Sequence, residues 1–187
     1  MRVISGAKKG IKLINPDDYN IRPTSDKVKE ALFDIIAFET ANSRVLDLFA
    51  GTGALGIEAL SRDAAFCVFV DNSKSSVELL KKNLAKTRLN QRDSYMILNM
   101  NFLEALNYLS QRKSIFDLVL IDPPYHGNLY EESLRFLDIY QLVGDNSVVI
   151  LELSNDVKLA DNLYGFSCYK EKKYSKTVLK FYTKENA

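Results

Sequence analysis

Residues 45–56 read VLDLFAGTGALG: a short apolar run ending on an aspartate and an aromatic ring, then three glycines spaced G-x-G-x-x-G, then the start of an amphipathic stretch. A buried strand that turns through glycines into a helix writes this pattern. Gly51 and Gly53 permit a tight turn and a bare backbone, Gly56 lets the helix lie close to the strand, and the helix N-terminus aims unpaired N–H groups at a ligand.

The pattern repeats on both sides of that stretch. RVLDLF, FCVFV, YMILNM, FDLVLI and SVVILEL read as strands, while GALGIEALS, Lys74 to Leu89, FLEALNYL and YEESLRFLDIY read as helices between them. Apolar runs alternating with amphipathic helices imply right-handed crossovers and a mainly parallel sheet covered on both faces. CYKEKKYSKTVLKFY reads as two strands about a YSK turn, an antiparallel hairpin at the end of the sheet. Upstream, Arg2 to Ser5 and Ile11 to Leu13 predict a hairpin through AKKG. A polar loop to Arg22 follows, then a helix capped by Thr24, Ser25 or Asp26 with Val28, Leu32, Ile35 and Ile36 on one face. No repeat or linker divides the 187 residues, so the expectation is one α/β domain, with 1–40 as an N-terminal extension and 41–187 as the core.

The net charge of +1 hides a split. Residues 1–30 carry 7 basic and 4 acidic side chains, residues 31–165 carry 12 and 18, and residues 166–187 carry 6 and 2. Basic ends around an acidic middle suit a polyanion gripped by the terminal segments, or simply solvated surfaces. Cys67 and Cys168 have no partner spacing and read as reduced core thiols of a cytoplasmic protein without disulfide or metal. MRVISGAKKG has no apolar leader core, and no apolar run approaches the ~20 residues of a membrane span, so neither export nor a membrane is expected.

Carboxylates narrow the ligand. Asp71 closes the second strand, where it can accept hydrogen bonds from both hydroxyls of a ribose. Asp47 ends the first strand beside Gly51; a pyrophosphate about 4 Å away would be repelled by roughly 4 kcal/mol at an effective dielectric near 20. S-adenosylmethionine brings an ammonium instead of a phosphate, and Asp47 attracts it directly or through water. Asn101 and Phe102, after the third strand, offer an amide and a ring to the adenine; Asn101 serves equally well as a helix cap.

At the next strand end stands Asp122-Pro123-Pro124-Tyr125. The proline pair stops the strand rigidly, so that the Asp122 side chain and the Pro123 carbonyl become two fixed acceptors beside the flat Tyr125 ring. That is a site for an amino group on a planar base. Hydrogen bonds to the two N–H groups favour a pyramidal nitrogen whose lone pair points at the methyl donor, and Asp122 can accept the released proton. Tyr125 would stack on the base, which must be flipped out of any paired region. His126, alone in a polar HGN loop, is left out of the mechanism.

RVISGAKKGIKL, RPTSDKVKEALF, VLDLFAGTGALGIEALSR, IDPPY and KEKKYSKTVLKFY together resemble the RsmD family, bacterial methyltransferases acting on the N2 amine of one guanine in 16S ribosomal RNA. The RPTSD helix and the KKYSKT tail carry most of the specificity; IDPPY is shared with many amine methyltransferases. The resemblance implies a Rossmann-like class I fold with a mainly parallel seven-stranded sheet. It also implies S-adenosylmethionine bound by Asp47, Phe49, Ala50, Gly51, Gly53, Asp71, Asn72, Asn101 and Phe102, with Arg22 and Thr24 over its methionine end. Asp122, Pro123, Pro124 and Tyr125 would hold the guanine. Arg2, Lys8 and Lys9, with Lys172, Lys173 and Lys176 of the tail, would grip the RNA, and a monomer would meet it in the small subunit or its assembly intermediate. Three departures stand out: Asn101 in place of the usual aspartate, Asp63 at a helix end where glycine is usual, and the HGN loop in place of more basic ones. An adenine-N6 methyltransferase on DNA and a non-catalytic RNA-binding assembly factor are the competing readings.

Overall fold

The computed structural model describes residues 1–15, 26–89, 93–124 and 128–184. Arg22, Thr24, Tyr125 and His126 lie outside them. Helix α1 (Asp26–Ile35) and the short α2 (Ala37–Thr40) come before β1 (Arg44–Asp47). Then α3 (Ala54–Ser61), β2 (Phe66–Val70), α4 (Lys74–Thr87), β3 (Tyr95–Leu98), α5 (Phe102–Gln111), β4 (Phe116–Ile121), α6 (Leu129–Ile139) and β5 (Val143–Ser154) alternate. The chain ends in β6 (Asn162–Leu163), β7 (Phe166–Tyr174) and β8 (Thr177–Lys184).

These strands form one sheet in the order β3-β2-β1-β4-β5-β8-β7-β6. β1 to β5 are mutually parallel, and β6, β7 and β8 run antiparallel to their neighbours. The sequence predicted seven strands; the eighth, Asn162–Leu163, pairs with Phe166–Ser167 across Tyr164 and Gly165, whose φ values are 50° and 75°. A two-residue strand shows no period-2 alternation, and only the turn conformation reveals it.

Both faces of the parallel strands are buried. Leu118 and Leu120 of β4 belong to the core that α1, α3 and α4 cover with Leu32, Phe33, Ile57, Leu80 and Leu84. Val119 and Ile121 belong to the opposite core, closed by α5 and α6 through Leu106, Leu109, Leu134 and Leu137. Burial on both sides is why these strands read as continuous apolar runs. No helix among the described residues is long and apolar enough to cross a membrane.

The predicted N-terminal hairpin is present but short. Arg2 and Lys12 form an antiparallel bridge, the N–H groups of Val3, Gly10 and Leu13 donate to the carbonyls of Ile11 (2.9 Å), Val3 (2.9 Å) and Met1 (3.1 Å), and Gly6–Lys8 forms a 3-10 turn. Beyond Val3 the N–H groups of Ile4 and Ser5 donate to the Glu58 carboxylate on α3, at 2.8 and 2.9 Å, and the pairing goes no further. Cys67 is buried as predicted, but Cys168 on the outlying β7 is half-buried rather than a core thiol. Asp63 adopts the left-handed conformation expected after α3, with φ of 67°.

Candidate active site

The strand order reverses between β1 and β4, and a crevice opens at their carboxyl ends. A cavity of about 410 Å³ fills it, lined by Asp47–Thr52 after β1, Asp71–Ser73 after β2, Met100–Phe102 after β3 and Asp122–Pro124 after β4. Its floor is held by backbone bonds from Leu48 N–H to the Leu120 carbonyl (3.0 Å) and from Ala50 N–H to the Val70 carbonyl (2.8 Å).

Two glycines set the shape. Gly51 has φ of 52°, and a Cβ there would meet nothing within 4 Å, so the loop presents bare backbone to the cavity. At Gly56 a Cβ would fall 2.3 Å from the Phe69 ring and 2.7 Å from the Cys67 Sγ. Only hydrogen fits where α3 crosses β2.

Asp71 is oriented by two backbone donors, Gly51 N–H to Oδ2 and Ser73 N–H to Oδ1, each at 2.8 Å. Each oxygen keeps a second lone pair, and the two together match a vicinal diol. Asp47 lies deeper, 2% exposed, with Oδ2 accepting the Gly56 N–H at 2.9 Å. Burial pushes its carboxyl up to about 7, the Gly56 bond opposes that shift, and the charge of Asp71 adds to it. A cation in the cavity would hold Asp47 ionised.

An apolar slot adjoins these acids. The Phe49 and Phe102 rings stand 5.4 Å apart at 42°, and Val70, Met100 and Leu129 complete its walls. Asn101 lines the cavity while its Oδ1 accepts the Leu103 N–H at 2.9 Å, capping α5. That bond uses one lone pair of the amide oxygen and leaves its second lone pair and the NH2 group for other partners. Asn72 and Ala50 also line the cavity, and no Lys or Arg does among the described residues. Among the described residues the lining side chains therefore favour a nucleoside carrying an ammonium and give a pyrophosphate no cationic partner.

Half-buried Asp122 and buried Pro123 wall the cavity beside β4 and also border a second, polar cleft of about 30 Å³. Pro124 is exposed beside them.

The basic residues fall into two groups. α3 starts at the cavity with Ala54, whereas the Lys8 N–H reaches Ser61 Oγ (2.9 Å) at the other end, roughly 10 Å of helix away. Lys9 follows Lys8 in that turn, and Arg2 pairs with Asp26 at 3.7 Å. Lys172 and Lys173 are exposed on β7, and Lys176 sits in the β7–β8 turn at the carboxyl end of β5, where its carbonyl accepts the Asn155 N–H at 3.0 Å.

Sequence reasoning missed Met1, Ser76, Met100 and Leu129 on the cavity wall. It also missed Asn83, a fully buried amide of α4. Its Oδ1 accepts the Ile14 N–H at 2.7 Å, and its Nδ2 donates to the carbonyls of Ile14 (3.2 Å) and Thr52 (3.0 Å). The signal was an amide on the inward face marked by Val77, Leu80 and Leu84.

A family model described as "Conserved hypothetical protein 95" matches residues 1–183. The chain is 32% identical over 185 residues to the ribosomal RNA small subunit methyltransferase D of Escherichia coli K12, covering 99% of this chain and 90% of that one. It is 34% identical over 184 residues to a Bacillus subtilis protein provisionally named an rRNA methyltransferase, covering 98% and 99% of the two. A solved Escherichia coli structure provisionally named a methyltransferase superposes with a TM-score of 0.85 at 29% identity, over 99% of this chain and 98% of that one.

Proposed function

The chain belongs to the RsmD family, and from that premise we propose that it methylates the exocyclic N2 amine of a guanine in 16S ribosomal RNA, using S-adenosylmethionine. The observation that carries this reading is the wall made by Asp122 and Pro123 between a nucleoside-shaped cavity and the open carboxyl edge of the sheet.

S-adenosylmethionine supplies an electrophilic methyl group on a sulfonium. Asp71 takes its ribose, the apolar wall made by Phe49, Val70, Met100 and Phe102 its adenine, and Asp47 its ammonium. Arg22 and Thr24 are assigned to the methionine end. Asp122 and the Pro123 carbonyl accept the two N–H bonds of the guanine amine and orient its lone pair toward the sulfonium methyl. As the N–C bond forms and the S–C bond breaks, the amine gives one proton to Asp122 and from there to solvent. Such positioning can supply roughly 7 to 11 kcal/mol of the barrier. Pro124 fixes the corner, and Tyr125 is assigned to stacking on the base. Lys172, Lys173 and Lys176 stand on the hairpin at the active edge, while Arg2, Lys8 and Lys9 would contact RNA that extends along α3. The substrate is assigned as the small subunit or its assembly intermediate, met by a cytoplasmic monomer.

Labelled S-adenosylmethionine offered with small subunits, free 16S rRNA or DNA, followed by digestion to nucleosides, tests the assignment. N2-methylguanosine from the subunit is expected. N6-methyladenine in DNA, or no transfer despite cofactor binding, would overturn it. Asp122→Ala should lower transfer at least a thousandfold and leave S-adenosylhomocysteine affinity within about threefold.

A further inference from the structure

Asp122 walls two spaces. Away from the cofactor cavity, it and Pro123 border a polar cleft completed by Glu152, Ser154, Lys176 and Thr177, about 30 Å³ in volume, the room of one small polar group. The register explains who meets there. β4 and β5 pair through Ile121 and Leu151, so Asp122 and Glu152 are the next residues on adjacent strands. Leu118 and Leu120 of β4 and Val148 and Ile150 of β5 share one core, so Asp122 and Glu152 continue that face, about one strand spacing of 4.8 Å apart. The Tyr130 hydroxyl donates to the Glu152 carbonyl at 2.9 Å, fixing the strand where this carboxylate departs. The β7–β8 turn then brings Lys176 to the cleft, anchored through its carbonyl on the Asn155 N–H at 3.0 Å.

Across the sheet edge the residues therefore run Asp122, Glu152, Lys176, which can offer an acceptor, an acceptor and a donor. The Watson–Crick edge of guanine runs donor, donor, acceptor through N2–H, N1–H and O6. Adenine offers its amine and then the N1 lone pair, which would face a carboxylate. Resting on the N2-methylation reading, we propose that Glu152 and Lys176 select the target base: Glu152 accepts the guanine N1–H and Lys176 donates to O6 while Asp122 and Pro123 hold N2. A carboxylate has about four lone-pair sites, so a contact within the protein leaves Glu152 others for the base.

The base analogue 2-aminopurine isolates these contacts, because it keeps the reacting 2-amino group but has a lone pair at N1 and no O6. Once nucleoside mapping has located the methylated guanine, RNA carrying guanine or 2-aminopurine there is compared by kcat/KM. Wild type should prefer guanine at least a hundredfold. Glu152→Gln, whose amide can donate to an N1 lone pair, should cut that preference at least tenfold. Lys176→Ala should slow guanine methylation at least tenfold and change 2-aminopurine by less than threefold, whereas a lysine that only binds phosphate or supports the fold would slow both equally. Calorimetry with S-adenosylhomocysteine verifies that each variant is folded; if Glu152→Gln is not, the Lys176→Ala ratio decides alone. Guanine methylation with an unchanged preference in the folded variants overturns this inference and leaves the N2 reading standing; no N2-methylguanosine from wild type overturns both.

Discussion

Lys29 of α1 and Glu58 of α3 form an ion pair at 3.2 Å with neither side chain exposed. Glu58 also takes the Arg62 Nε–H at 2.9 Å and the N–H groups of Ile4 and Ser5, while Lys29 donates to the Arg2 carbonyl at 2.6 Å. Burial pulls the Lys29 ammonium below its ordinary range, and Glu58 opposes that pull. Glu58→Ala would strand Lys29 and two backbone donors, so we expect a loss of about 3–5 kcal/mol in urea unfolding. A loss under about 1 kcal/mol would show that the pair does not hold the N-terminal segment.

Asp71 should govern cofactor affinity. Its two oxygens are preset by Gly51 and Ser73, so two charged hydrogen bonds to a diol form without reorganisation. At about 1.5–3 kcal/mol each, their loss in Asp71→Ala should weaken S-adenosylhomocysteine binding at least a hundredfold by calorimetry. Asp71→Asn must turn an NH2 group toward one of those two backbone donors, and a loss of at least tenfold is expected.

Most of the fold was legible because the central strands β1, β2 and β4 are buried on both faces and α1, α4, α5 and α6 each bury one, and both conditions leave a trace in the sequence. FCVFV and FDLVLI are β2 and β4 residue for residue. What escaped depended on partners distant in sequence. Glu58 sits in an otherwise apolar helix, and only the approach of Lys29, Ile4 and Ser5 gives it a reason. Glycine spacing and strand-end acids marked Asp47, Gly51, Asp71 and Asp122 as cavity-lining. Met100 and Leu129 looked like ordinary core because a cofactor wall and a core wall use the same side chains.

Gly56 should resist even a methyl group. A Cβ would press 2.3 Å from the Phe69 ring, and both Phe69 and Cys67 are fully buried with no room to retreat. Gly56→Ala should cost about 1–3 kcal/mol in denaturant unfolding and shift α3, with the Gly51 loop at its head, away from β2. Weaker cofactor binding should accompany the lost stability.

Asp47 makes both stability and binding depend on pH. Its folded carboxyl titrates near 7, against an ordinary 3.8, because burial disfavours the charge. Between those values the folded chain holds a proton that the unfolded chain has released, so stability falls as pH rises through this window and levels off above 7. The full cost is about 4 kcal/mol at most. Asp47→Asn removes the titration, so its stability relative to wild type should grow from about pH 4 to about pH 7, read by thermal unfolding across that range. Binding should move the other way. An ammonium in the cavity favours the ionised carboxylate, so wild-type affinity for S-adenosylhomocysteine should strengthen as pH rises from about 6 through about 7, where Asp47 ionises in the unliganded protein. Asp47→Asn should bind more weakly at neutral pH and lose this rise, and a wild-type profile flat across the same interval would remove Asp47 from the ammonium site.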